Sequence, residues 1–176
     1  MEDIVPDVVD AVPAGTVQVS YGECNVVCRG NELSPTQVKD TPTVQWCAPE
    51  GDSLYTLLMV DPDAPTRQDP KFREILHWAV VNIKGNDIAT GFPLAAYIGS
   101  GPPEGTGLHR YIFLVYRQGN KIEEGQTIPN NVRAGRLNFS ARQFAAKHGL
   151  GEPIAANYYQ AQYDDYVPIR NKTIIG

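Results

Sequence analysis

Leu54-Tyr-Thr-Leu-Leu-Met-Val60, running directly into Asp61-Pro-Asp-Ala-Pro65, is the stretch on which the fold turns. Alternate side chains of a strand point to opposite faces, so an almost unbroken apolar run fits a strand covered on both sides. The Asp/Pro cluster then ends it, because proline offers no N–H to a ladder and aspartate bonds nearby backbone N–H groups in turns. A second run of the same kind, His109-Arg-Tyr-Ile-Phe-Leu-Val-Tyr-Arg117, makes these two the central strands of a β-sandwich or large sheet. Shorter β-type runs surround them at Thr16–Tyr21, Thr43–Cys47 and His77–Ile83. In Thr16–Tyr21 the residues Val17, Val19 and Tyr21 share one face, as in a half-buried strand.

The 176 residues include 42% hydrophobic and 20% charged, values of a globular chain rather than a disordered one, and the length argues for one domain over 1–176. Sixteen Gly and fourteen Pro favour a turn-rich β protein over a helix bundle. With 15 Lys+Arg against 20 Asp+Glu, a net charge of −5, no basic surface for a nucleic-acid partner is expected. No apolar run reaches the roughly 18 residues of a membrane span, and the first residues lack the basic and apolar regions of a secretory signal. Cys24, Cys28 and Cys47 have neither disulfide-framework nor Cys-x-x-Cys spacing, which points to a reducing cytosol and no structural metal. A cytoplasmic monomer without a cofactor is the expectation. One helix is marked at 141–148, with Ser140 and Gln143 at capping-box spacing, Phe139 placed to staple onto Phe144, and Gly149 as the stop. Val5–Val9 and Pro35–Val38 read as single helical turns.

Polar residues meet turns at three places: the Asp61–Pro65 turn, His77 at the start of its strand, and Gly99-Ser-Gly-Pro-Pro103 leading to Gly107-Leu-His-Arg-Tyr111. His109 and Tyr111, two apart on a strand, share a face about 6.6 Å apart, and Arg110 points to the other face. An imidazole and a phenol side by side can both donate to one oxyanion, while Gly101 lets backbone N–H groups approach a ligand and Asp61 can orient a histidine or receive a ligand's ammonium group. Each feature also has an ordinary structural explanation: a turn, a bonded strand-end histidine, a core tyrosine, a kinked loop. No nucleophile elbow, phosphate-binding P-loop or dinucleotide fingerprint is present, and Asp61, Asp63, His77 and His109 match no short metal-ligand spacing.

Asp61-Pro-Asp-Ala-Pro65, Asp69-Pro-Lys-Phe-Arg-Glu leading to His77-Trp78, Gly101-Pro-Pro with Gly107-Leu-His-Arg-Tyr111, and the ending Tyr159-Gln-Ala-Gln-Tyr-Asp-Asp-Tyr-Val-Pro168 together resemble the phosphatidylethanolamine-binding protein family, also called the Raf kinase inhibitor protein family, in its animal form. The resemblance runs from about Val12 to Pro168. It implies a mainly β fold with a large central antiparallel sheet, a smaller sheet and peripheral short helices. It also implies a pocket at Asp61, Pro65, His77, Gly101, Pro103, His109 and Tyr111 that takes phosphorylethanolamine, phospholipid head groups or small anions. Cis peptides are implied at Ala64–Pro65 and Arg73–Glu74.

The implied function is a non-enzymatic binding module that modulates signalling partners such as a Raf-type kinase, the alternative being a serine protease inhibitor. A vestigial hydrolase using Asp61 and His109 is a third reading. Because the pocket holds an aspartate and no lysine, anion binding is expected to need a protonated His77 or His109, or a proton kept by Asp61, and hence to weaken from about pH 6 to 8. Three positions depart from the family pattern: Ile75 where an aromatic residue is common, Gln143 where vertebrate members carry a regulatory serine, and a divergent tail in which Asn171 replaces a tyrosine.

Overall fold

The structure, a computed structural model, describes residues 1–48 and 53–176. Among these, the strands in chain order are β1 (Gly15–Thr16), β2 (Gln18–Tyr21), β3 (Asn25–Val26), β4 (Asn31–Glu32), β5 (Thr43–Gln45), β6 (Leu54–Asp61), β7 (Ile75–Lys84), β8 (Phe92–Ala95), β9 (His109–Gln118) and β10 (Ala155–Ala161). Two helices, α1 (Ala141–His148) and α2 (Tyr166–Asn171), lie outside the sheets in sequence.

The large sheet runs β1-β10-β9-β6-β7-β8, with β4 also on β10, and the small sheet runs β3-β2-β5. β6 and β9 are its central pair, antiparallel with Met59 opposite Phe113 and Leu57 opposite Val115. Both faces are covered, which accounts for their continuous apolar sequence. Tyr55, Leu57, Met59, Tyr111, Phe113 and Val115 pack toward the small sheet's Val19, Tyr21 and Val44 and the adjoining Trp46. Leu58, Val60, Ile112 and Leu114 pack on the other side against Ile4, Val8, Val9 and the α1 residues Ala141 and Ala145.

The large sheet is mixed, not antiparallel as the family resemblance implied. β1 pairs parallel to β10 at Ala155–Ala156, and β4 pairs parallel to it at Tyr159–Gln160. The reason is an excursion: the chain leaves the edge after Thr16, forms the β2–β3 hairpin of the small sheet, and returns in the same direction at Asn31. The run read as one strand, Thr16–Tyr21, is therefore divided between two sheets at Val17. Asn157 fills the gap in the ladder, donating from Nδ2 to the carbonyls of Val17 and Val27 and accepting from the Arg29 N–H.

Helix α1 has the expected bounds. Ser140 accepts from the Gln143 N–H, Gly149 closes the helix in the left-handed conformation, and the Phe139 and Phe144 rings lie 5.7 Å apart. At the N-terminus the helical turn falls earlier than expected, at Glu2–Ile4, and the Val5–Pro6 peptide is cis. The Ala64–Pro65 and Arg73–Glu74 peptides are cis as anticipated.

Glu74 joins this scaffold to the helix. Its backbone exchanges two hydrogen bonds with Phe139, and its Oε1 accepts from the Ala141 N–H in the first turn of α1. Burial raises its carboxyl from an ordinary 4.5 to about 7. A carboxyl that holds its proton more tightly folded than unfolded contributes stability at low pH and loses it as pH rises between those two values. At about 1.4 kcal/mol per unit, denaturant unfolding is expected to show the wild type losing roughly 2–3 kcal/mol between pH 4.5 and 7.5, and Glu74→Gln losing far less. Equal pH profiles for the two proteins would refute the assignment.

Candidate functional site

One end of the large sheet carries the site. Asp61 is the last residue of β6, His109 and Tyr111 open the adjacent β9, and His77 lies in β7 on the other side of β6. His77 does not open its strand as the sequence suggested; it sits at an irregularity within it. Met59 pairs with Trp78 and Val60 pairs with Leu76, so His77 is the extra residue of a bulge. Such a bulge lets consecutive residues face the same way. His77 and Trp78 accordingly both make ring contacts on the small-sheet side, with Tyr111 and Tyr97.

Around these residues lies a cavity of about 390 Å³. Asp61, Pro65, His77, Gly101, Pro103, His109 and Tyr111, the positions singled out from the sequence, all line it. Phe72, Ile75, Ile98 and Ile174 form an apolar wall, with Ile75 at the position where an aromatic residue was expected. Asn171, noted in the sequence as replacing a tyrosine, lies on a polar side completed by Arg133, Arg136 and Arg170, which the sequence reading missed. No local motif marks these arginines; the fold brings them in from the segment before α1 and from α2.

The two aspartates of the turn have separate tasks. Asp63 is fully buried and belongs to the scaffold: it accepts from the Arg110 backbone N–H and from Nε at 2.9 Å, and from a terminal guanidinium nitrogen at 2.7 Å. Arg110 lies on the face opposite His109 and Tyr111, as the strand alternation predicted. Asp61 belongs to the cavity: its Oδ1 accepts from the Asp63 N–H at 2.7 Å, and its Oδ2 lies 2.9 Å from His109 Nδ1.

The proton inventory of this pair follows from its neighbours. The Thr106 hydroxyl donates to the Pro103 carbonyl, so its oxygen accepts from His109 Nε2–H at 2.9 Å. With Nε2 protonated, the bond from Nδ1 to Asp61 Oδ2 contains one proton, and the pair is neutral overall. Burial favours this by raising the Asp61 carboxyl above its ordinary range.

His77 behaves differently from the expectation of a protonated donor. A carbonyl only accepts, so its Nδ1 carries the hydrogen in the 2.8 Å bond to Ile98 O, and Nε2 keeps a lone pair. Burial, followed by the charge of Arg170, lowers its pKa to about 3, leaving the ring neutral. Positive charge at the cavity comes instead from the arginines. Arg170 reaches in from α2, donating from Nε to Gly99 O at 2.9 Å and from a terminal nitrogen to Asn171 Oδ1 at 2.8 Å. A Cβ at residue 101 would come within 2.2 Å of that terminal nitrogen, so glycine there makes room for a guanidinium. Arg136 is buried beneath and donates to the carbonyls of Val132, Leu76, Ala96 and Pro129. None of the three arginines is ion-paired with a carboxylate among the described residues, in contrast to Arg73, Arg110 and Arg142.

The tail is part of the cavity. Beyond α2, Ile175 donates to Asn131 O and accepts from the Arg133 N–H, which holds the last residues along the 131–133 segment. Ile174 and Gly176 thereby reach the lining. For His77, ring-nitrogen NMR at pH 5 is expected to show Nδ1 protonated and Nε2 bare, because that pH lies well above its value of about 3. A doubly protonated His77 at pH 5 would contradict the hydrogen-bond assignment.

Comparison with known proteins agrees with this architecture. Residues 12–160 match the phosphatidylethanolamine-binding protein family. The Drosophila melanogaster protein called odorant-binding protein A5 is 36% identical over 175 residues, covering 99% of this chain and 83% of that one. The solution structure of CG7054 superimposes with a TM-score of 0.81 at 72% identity and covers 100% of both chains. A carboxypeptidase Y inhibitor, solved in complex with its cognate proteinase, gives a TM-score of 0.74 at 28% identity over 86% of this chain and 85% of its own. With its strands, helices and cavity laid out as above, the chain belongs to the phosphatidylethanolamine-binding protein family.

Proposed function

We propose that the cavity binds phosphate-bearing head groups or small anions and that the protein acts by binding without turnover. The observation that carries this reading is the charge of the lining: three arginines without carboxylate partners among the described residues, beside an Asp61–His109 pair that is neutral overall. An anion is the ligand class that such a lining attracts. Binding rather than hydrolysis is supported by the engagement of the reactive groups. Both His109 nitrogens are hydrogen-bonded, and Ser100 is fully buried with its hydroxyl against the Tyr159 hydroxyl.

The partner that reads the bound state is, on kinship with the family, a signalling protein such as a Raf-type kinase, and the exposed free thiols of Cys24, Cys28 and Cys47 suit a reducing cytoplasm. Serine-protease inhibition rests on the structural kinship with the carboxypeptidase Y inhibitor alone, with no described feature of this chain's surface singling out a protease-binding loop.

Titrating inorganic phosphate or phosphorylethanolamine by NMR at about pH 6.5 is expected to shift Asp61, His77, Gly101, Tyr111 and Arg170, and His109→Ala is expected to abolish the shifts. An unshifted wild-type spectrum with both ligands would overturn the reading.

The pH dependence tests the shared proton separately. Loss of that proton leaves a carboxylate in the cavity, where Asp63, His77, Tyr111 and Arg170 are the other ionisable neighbours, so anion affinity falls as pH rises. Dimethyl phosphate keeps one negative charge throughout, whereas a monoester gains charge near pH 6. Its affinity is expected to fall as pH rises, and to fall less in Asp61→Asn, which removes the carboxylate that loss of the shared proton would leave. A flat wild-type profile would remove the Asp61–His109 pair from the account.

A further inference from the structure

The cavity contains more positive charge than a zwitterionic head group needs, and it offers little to a cation. Among the described residues Asp61 is the only acidic side chain in the lining, and both its oxygens are engaged, one by the Asp63 N–H and one by His109. The usual second means of holding an ammonium group, an aromatic face, is also occupied. Tyr111 stacks on Tyr159, 5.2 Å away at 18°, and lies near-parallel to the His109 ring, 6.4 Å away at 12°. Lys71 Nζ already stands 5.4 Å from the centre of the Phe72 ring. At position 75, beside these groups, there is an isoleucine. His77 Nε2 is a neutral acceptor and carries no charge to offset the guanidiniums.

We propose that Arg133, Arg136 and Arg170 make this cavity selective for phosphomonoesters without an ammonium group, and that phosphorylethanolamine is a disfavoured ligand here. This rests on the reading that the cavity takes phosphate, and it narrows the class. The three arginines differ in how they act. Arg136 has its donors committed to backbone carbonyls, so it contributes field rather than contacts. Arg170 lies against the Gly101 backbone with one terminal nitrogen free of described partners, and Arg133 is exposed at the rim. Burial and the neighbouring guanidinium lower Arg136 to about 10, still charged at neutral pH. A phosphomonoester brings nearly two negative charges at pH 7, which matches such a cluster; an ammonium two carbons away cancels one of them.

Ethyl phosphate and phosphorylethanolamine differ only by that ammonium group, so their dissociation constants at pH 7, measured by calorimetry or NMR, isolate its effect. The wild type is expected to bind ethyl phosphate roughly tenfold more tightly. Arg170→Leu, and independently Arg133→Ala, are expected to bring the ratio toward unity by weakening ethyl phosphate more than phosphorylethanolamine. Arg133 is on the surface, so its variant keeps the test open if Arg170→Leu fails to fold. Equal affinities in the wild type, or tighter phosphorylethanolamine, would overturn the selectivity while leaving phosphate binding intact. A ratio unchanged in both variants would overturn the assignment to the arginines. Binding of neither compound would overturn the phosphate reading and this proposal with it. Dihexanoyl phosphatidic acid, as a third ligand, separates the sources of the monoester: tighter binding than ethyl phosphate supports a lipid held along Phe72, Ile75 and Ile174, and equal binding supports a soluble ester.

Discussion

The buried ion pair between Asp63 and Arg110 is the contact on which the site depends. It joins the turn after β6 to the first residues of β9 by three hydrogen bonds, one of them to the backbone. Removing one member of such a pair leaves an uncompensated buried charge and costs about 3–5 kcal/mol, so the turn has little freedom to move. Fixing the turn fixes Asp61, whose Oδ1 accepts from the Asp63 N–H within the same turn. Strand alternation does the rest: with Arg110 held on one face, His109 and Tyr111 must point to the other. Asp7 extends the clamp to the N-terminal segment, pairing with Arg110 and Arg73, while Arg73 Nε donates to Pro62 O.

Scaffold and cavity thus divide their charged groups cleanly. On the Arg110 side, carboxylates and guanidiniums are matched and the network is closed. In the cavity the one acidic side chain among the described residues shares a proton with His109, and the arginines have no acidic partner among those residues. Buried, unpaired guanidiniums are costly. Arg136 is kept by a ring of carbonyls that ties together the segments at 76, 96, 128–132 and 136, so its charge is retained by structure and its field is available to a ligand.

How much of this was legible in the sequence depends on the range over which each signal acts. The two central strands and α1 were readable because continuous apolar runs and capping residues are local. Asp61, His77, His109 and Tyr111 were recognisable as a set through motif resemblance, and the structure gathers them around one cavity. Their protonation was not readable, because it is fixed by partners distant in sequence: Ile98 O for His77, and Asp61 for His109. The bulge at His77, the division of Thr16–Tyr21 between two sheets, and the parallel edge at β10 are products of pairing across the chain. Arg136 and Arg170 carry no local mark at all. Reading the tail only as a departure from the family pattern missed that the same departure brings an arginine into the cavity.

Among the described residues the 131–133 segment and the last residues of the chain are joined by two backbone hydrogen bonds, which form one parallel bridge between Val132 and Ile175, and Arg133 and Arg170 face the same space. Docking of the tail and occupancy of the cavity are therefore linked equilibria. An anion that touches Arg170 holds the tail down by the same factor by which a docked tail strengthens the anion's binding. A protein partner that grips the tail would then discharge the ligand, and a partner that packs over the docked tail would retain it.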